Sequence, residues 1–199
     1  SHANEILGRQ EVQGLLDKAA KTHPKVVEEL VPGLMSLGAV QKVLQNLLKE
    51  RVSIRDLQSV LETLADYATM TKDTDLLTEY VRMNLARQIS KSHAGQDSAI
   101  QVLALSQEIE ETIAKSIHET PQGSFMSIEP GAAQKIIAKL REALEEAMSK
   151  GYQPVLLVSH QTRRFVGRLT ERSFPATPVL SHSEISSNAK VQTLKVVRL

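Results

Sequence analysis

Few residues in this chain have the types and spacing that catalysis needs. Ser159 and His160 follow an apolar run, Val155–Val158, at what reads as the C-terminal end of a strand. Layered α/β proteins often place reacting groups there. A serine nucleophile needs a base beside it and a third group to hold that base. No G-x-S-x-G elbow surrounds Ser159. The competing reading, which fits better, makes Ser159 the cap of a helix starting near Gln161. His182 and Glu184, in the run SHSEIS, could join His160 around a metal, but their spacing matches no zinc signature. Asp73 and Asp75 in TKDTD have the spacing of a calcium loop without its glycine or distal glutamate. Capping explains them better. No phosphate-cradling glycine loop is present. The chain has no cysteine, which removes disulfides, thiolate nucleophiles and Cys-ligated metals. The expectation is a protein that is not an enzyme, with no catalytic residue, metal or cofactor.

Two charge clusters remain. Lys49, Glu50, Arg51, Arg55 and Asp56 gather both signs at one turn. This is either exposed loop chemistry or a subunit contact, for which mixed charge suits register and partner choice. Arg163, Arg164 and Arg168, with Arg172 beyond, form a basic cluster on the helix after His160. That is either a solvated face or an electrostatic contact for a neighbour.

The composition bounds the classes. With 199 residues the chain can form one large domain or two small ones. Aromatic residues are 3% and tryptophan is absent, so the core must be aliphatic. Formal net charge is +1, which argues against a dedicated nucleic-acid or membrane-surface binder. No apolar run approaches the roughly 18–20 residues that span a bilayer, and no signal peptide opens the chain. Ser1-His2-Ala3 reads as a cloning scar, and the chain as a soluble fragment.

The elements that would position these residues divide in two. Arg9–Lys21 is a helix, broken by Thr22-His23-Pro24 because a residue before proline leaves the helical region. Lys25–Val31 resumes briefly and Pro32-Gly33 stops it. Val40–Ala68 then gives two amphipathic helices joined at Arg51-Val52-Ser53, with Ser53 and Asp56 in a capping spacing. So tight a turn predicts that the two pack as a pair. Asp73 caps a further helix over Asp75–Ser90.

The texture changes at Ser92–Ser98, a small polar run read as a linker. Strands follow at Ile100–Leu105, Phe125–Ile128, Val155–Val158, Val179–Leu180 and Val191–Val197. Helices are expected at Gln107–His118, from Glu129-Pro130 to Gly151, and at Gln161–Glu171. Alternation of strand and helix predicts a layered α/β subdomain behind an all-helical one, an α+β chain overall with an α/β second half. The expected boundaries are 1–25 for a scar and terminal helix, 26–92 for the helical subdomain and 93–199 for the α/β subdomain.

The stretch VEELVPGLMSLGAVQKVLQNLLKERVSIRDL, with LLTEYVR after it, resembles the C-terminal cytoplasmic part of the FHIPEP family. Those are the export-gate proteins of type III secretion, and the flagellar members fit better than the virulence ones. The resemblance runs from about Gly8 to the last residue. It implies a non-enzymatic fragment of a protein integral to the bacterial inner membrane, lying on its cytoplasmic side. Its implied partners are copies of itself in a ring, other flagellar export-apparatus proteins and chaperone–substrate complexes, with no nucleic acid. Its implied work is ring assembly and interaction with export components during flagellum biogenesis. The helical half would carry ring contacts, and the kept run Ser53-Ile54-Arg55-Asp56-Leu57 fits that. The alternative is a helix-turn-helix DNA-binding regulator with an α/β ligand domain, since Val40–Ala68 has that outline. Against it, Asp56, Glu62 and Asp66 on the second helix would repel phosphates.

Overall fold

The computed structural model describes residues 7–95 and 97–199, so the expected scar and Gln96 of the linker lie outside the described residues. The chain forms two compact units that divide between Leu85 and Ala86.

In the first unit, α1 (Arg9–Thr22) buries Val12 and Leu16. Proline opens α2 (Pro24–Glu29), and a wider turn over Leu30–Leu34 ends it, with Val31 extended and the Val31–Pro32 peptide cis. The Ser36 hydroxyl accepts from the Ala39 N–H and starts α3 (Leu37–Lys49). The side chains of Val40, Val43, Leu44 and Leu47 are fully buried, as the helical spacing predicts. The next helix, α4 (Leu57–Tyr67), buries Val60, Leu61, Leu64 and Ala65.

Two expectations for this region are corrected. The cap of α4 is Asp56 rather than Ser53, because the carboxylate reaches the Ser59 N–H at 3.2 Å whereas the Ser53 hydroxyl serves the Arg55 N–H. Nor do α3 and α4 form the main packing pair. Each lies chiefly against α5 (Thr74–Asn84), which Asp73 caps as predicted. Asn46 of α3 donates to Asp75 and Thr78 of α5, and Asn84 of α5 donates to Thr63 of α4. Tyr67 and Tyr80 stack across α4 and α5, with centroids 4.1 Å apart.

The helix expected over Asp75–Ser90 breaks at Leu85, and α6 (Ala86–His93) lies in the second unit. The Ser90 hydroxyl donates to the Glu184 carbonyl and accepts from the Ser186 N–H, which ties α6 there. β1 (Ala99–Leu105) is followed by α7 (Gln107–Lys115), shorter than predicted. Its last expected turn becomes β2 (Ile117–Thr120), paired antiparallel with β3 (Gly123–Met126). Proline at the first position and Gly151 just beyond its end bound α8 (Pro130–Ser149) as predicted.

The remaining elements are β4 (Val155–Val158), α9 (Arg163–Thr170), β5 (Val179–Ser181), a single 3-10 turn (His182–Glu184) and β6 (Lys190–Val197). The main sheet is parallel in the order β5-β4-β1-β6, with Leu103 opposite Leu156 and Leu156 opposite Val179. All four β4 residues are buried, as expected of an inner strand. Leu103, Leu105, Leu156 and Val158 meet Ile109, Ile136, Leu140, Phe165 and Val166 in one apolar core, aliphatic but for Phe165.

Candidate functional site

The charged turn Lys49–Asp56 is built by the end of α3. The Arg51 N–H donates to the Leu48 carbonyl and the Val52 N–H to the Leu47 carbonyl. These are the two bonds of a Schellman ending, and Val52 and Leu47 are both buried. The position after the cap must be left-handed, and Arg51 occupies it at φ 61°. The chain then runs without helix or strand, bending at Arg55, to Asp56, where α4 begins.

The five charges do not face the same way. Arg82 of α5 is 2% exposed, and its guanidinium lies 3.8 Å from the Glu50 carboxylate. Glu50 thus answers a buried cation. Asp56 receives both the N–H and the hydroxyl of Ser59, at 3.2 and 2.7 Å. Lys49, Arg51 and Arg55 are exposed. Neither the Arg51 nor the Arg55 guanidinium bonds or ion-pairs with another described residue.

The second cluster separates. Arg163 is 1% exposed, with Nη1 donating to the Val179 carbonyl and Nε 3.8 Å from the equally buried Glu184. This corrects the reading of Arg163 as part of a basic surface: its position on α9 points it to the core side. Arg164 and Arg168 stay together over the buried Phe165 ring, at 4.8 and 5.4 Å. Cation–π contact on a desolvated ring face holds both guanidinia at one patch.

The other candidates are structural. The Ser159 N–H and the Thr162 hydroxyl both donate to Glu110 Oε1, at 2.9 and 2.8 Å. Ser159 also turns the chain into α9 through its carbonyl, which accepts from the Thr162 and Arg163 N–H groups. It is therefore not the side-chain cap expected, and Glu110 of α7 does the pinning. Glu184 accepts from the Ser181 N–H. Among the described residues no group of His, Asp and Glu is placed to hold a metal. No helix among them is long and apolar enough to cross a membrane.

Arg82, Glu110 and Glu184 were not singled out for these roles from sequence. For Arg82 a signal existed. Asp75, Thr78 and Arg82 share one face of α5, and Asn46 of α3 lies four residues before Glu50 at its C-cap.

The FHIPEP family profile matches residues 1–190. Flagellar biosynthesis protein FlhA of Bacillus subtilis is 41% identical over 98% of this chain and 29% of its own length. The chain thus spans less than a third of that relative. Chlamydia pneumoniae CdsV superimposes with a TM-score of 0.91 at 35% identity, over 100% of this chain and 57% of that one. A second structure of CdsV is a complex with CdsO, at a TM-score of 0.88 and 35% identity, over 98% and 57%. The nonameric SctV-C of EPEC superimposes at 0.88 and 34% identity, over 99% and 59%.

Proposed function

The chain belongs to the FHIPEP family, and we propose that it is a cytoplasmic part of a flagellar type III protein-export gate. Its work there is non-enzymatic: assembly of copies into a ring, and contact with export components during flagellum biogenesis. The whole protein lies in the bacterial inner membrane, with this part on the cytoplasmic side. The observation that carries the flagellar assignment is the 41% identity to FlhA across nearly the whole chain. The nonameric form of SctV-C and the CdsV–CdsO complex support ring formation and partner binding in turn. Chaperone–substrate complexes are further partners of the whole gate.

Within this chain the Lys49–Asp56 turn is the subunit contact. Its exposed cations stand beside two engaged carboxylates, an arrangement that fixes register between protein surfaces. The exposed face of α4 supports a protein partner over DNA. Gln58, which could read a base edge, donates to Glu62, and Asp66 follows one turn later. Arg164 and Arg168 offer the second contact, to a soluble export component.

The test is Arg55→Glu combined with Asp56→Asn in the whole protein, since asparagine keeps the α4 cap. Smaller oligomers by light scattering at an unchanged melting temperature are expected. Unchanged oligomer size would overturn the ring-contact assignment.

A further inference from the structure

Arg51 occupies a position built for glycine. The same chain shows the alternative at the end of α8. There the Gly151 N–H donates to the Met148 carbonyl and the Tyr152 N–H to the Ala147 carbonyl. That is the bond pattern of the α3 ending, and Gly151 takes the left-handed position at φ 85°. A Cβ raises the energy of this conformation, which is why glycine is favoured there. At the end of α3 the chain carries arginine in the same place, at φ 61°.

The Arg51 side chain returns nothing to the fold that offsets this. It is exposed, and it has no hydrogen bond or ion pair with another described residue. Backbone strain held without a local gain is characteristic of residues used in function.

We infer that Arg51 is retained for its guanidinium, which binds a carboxylate on a neighbouring copy of the protein, and that the fold is less stable for it. This rests on the ring-contact reading above and adds the chemistry of the partner surface. The two acids of the turn are already engaged, Glu50 by Arg82 and Asp56 by Ser59. Neither acid pairs with Arg51 or Arg55, so both guanidinia stay open to a carboxylate from outside, and the complementary surface is acidic. A guanidinium fork meets a carboxylate through two parallel hydrogen bonds, which gives such a contact direction as well as attraction.

The experiment compares Arg51→Gly with Arg51→Ala in the whole protein, reading melting temperature and ring dissociation across a salt series. Arg51→Gly is expected to melt about 2–4 °C higher, because the strain is relieved. It is also expected to raise the dissociation constant about tenfold or more and to flatten its salt dependence. Arg51→Ala keeps the strain and loses the guanidinium. It should weaken the ring equally with no gain in melting temperature. A ring that forms normally with Arg51→Gly overturns the inference, as does a melting temperature that does not rise. If Arg55→Glu with Asp56→Asn still disperses the ring in that case, the ring-contact reading survives without Arg51. If neither variant disperses it, both fail together.

Discussion

The Arg163 guanidinium lies 3.8 Å from the Glu184 carboxylate, and both side chains are 1% exposed. The pair joins the start of α9 to the 3-10 turn after β5, and the Glu184 carbonyl in turn holds Ser90 of α6. One buried acid thus connects three segments distant in sequence. Removing a single partner leaves an uncompensated buried charge. Arg163→Met is expected to destabilise the α/β unit by about 3–5 kcal/mol in chemical denaturation. Replacing both charges with apolar groups should recover part of that loss. A single substitution costing less than about 1 kcal/mol would show that the pair is not doing this work.

Glu110 does the comparable service at the C-terminal end of β4. Its Oε1 takes the Ser159 N–H and the Thr162 hydroxyl. Glu110→Ala orphans the Ser159 N–H and leaves the Thr162 hydroxyl only its contacts with Ser159, and the expected loss is about 1–3 kcal/mol. Ser159→Ala keeps the N–H bond to Glu110 and gives up only the hydroxyl contact with Thr162. It should cost much less. Equal losses for the two variants would contradict the assignment.

Where several local signals coincided, the fold was legible in advance. The bounds of α8 follow from Glu129, Pro130 and Gly151, and β4 is an apolar run after Pro154. The break at Leu85 carries no such signal. Leu77, Val81, Leu85 and Ile89 continue one helical stripe through it, without glycine or proline. What places α6 in the second unit is Ser90 meeting residues almost a hundred positions away, which no window of sequence reveals. β2 was missed for the opposite reason: Ile117-His118-Glu119-Thr120 has one apolar residue, so it lacks the alternation that marks a strand. The charged turn was legible as a cluster. Which of its members face inward was not, because that depends on Arg82 of α5, a buried charge where sequence reasoning expects solvent.

Glu146 of α8 and Lys195 of β6 are 3.3 Å apart. The hydrogen bond from Lys195, then that from Lys150, holds the Glu146 carboxyl below its ordinary value of 4.5. A carboxylate lowered in the folded state stabilises above its unfolded value, and that stabilisation is lost as pH falls through the folded one. The loss therefore belongs to the region below pH 4.5. Lys195→Met should move the Glu146 midpoint upward in an NMR carboxyl titration. A midpoint that stays in place would mean that the ion pair does not persist in solution.

Asp56 serves two purposes whose effects can be separated. As the cap of α4 it accepts from the Ser59 N–H, and its charge lies in the proposed contact. Asp56→Ala removes both, and a lost cap costs about 1 kcal/mol. Asp56→Asn removes the charge and keeps the acceptor, so the unit should melt within about 1 °C of the parent. Ser53→Ala, at the position favoured by the Ser-x-x-Asp spacing, loses the bond to the Arg55 N–H at an exposed site and should change stability by less than about 0.5 kcal/mol. The order of melting temperatures, with Asp56→Ala lowest and the other two near the parent, identifies the cap. If Ser53→Ala were the lowest, α4 would begin at Ser53 in solution. Arg55 would then sit in its first turn, where a cation opposes the helix dipole.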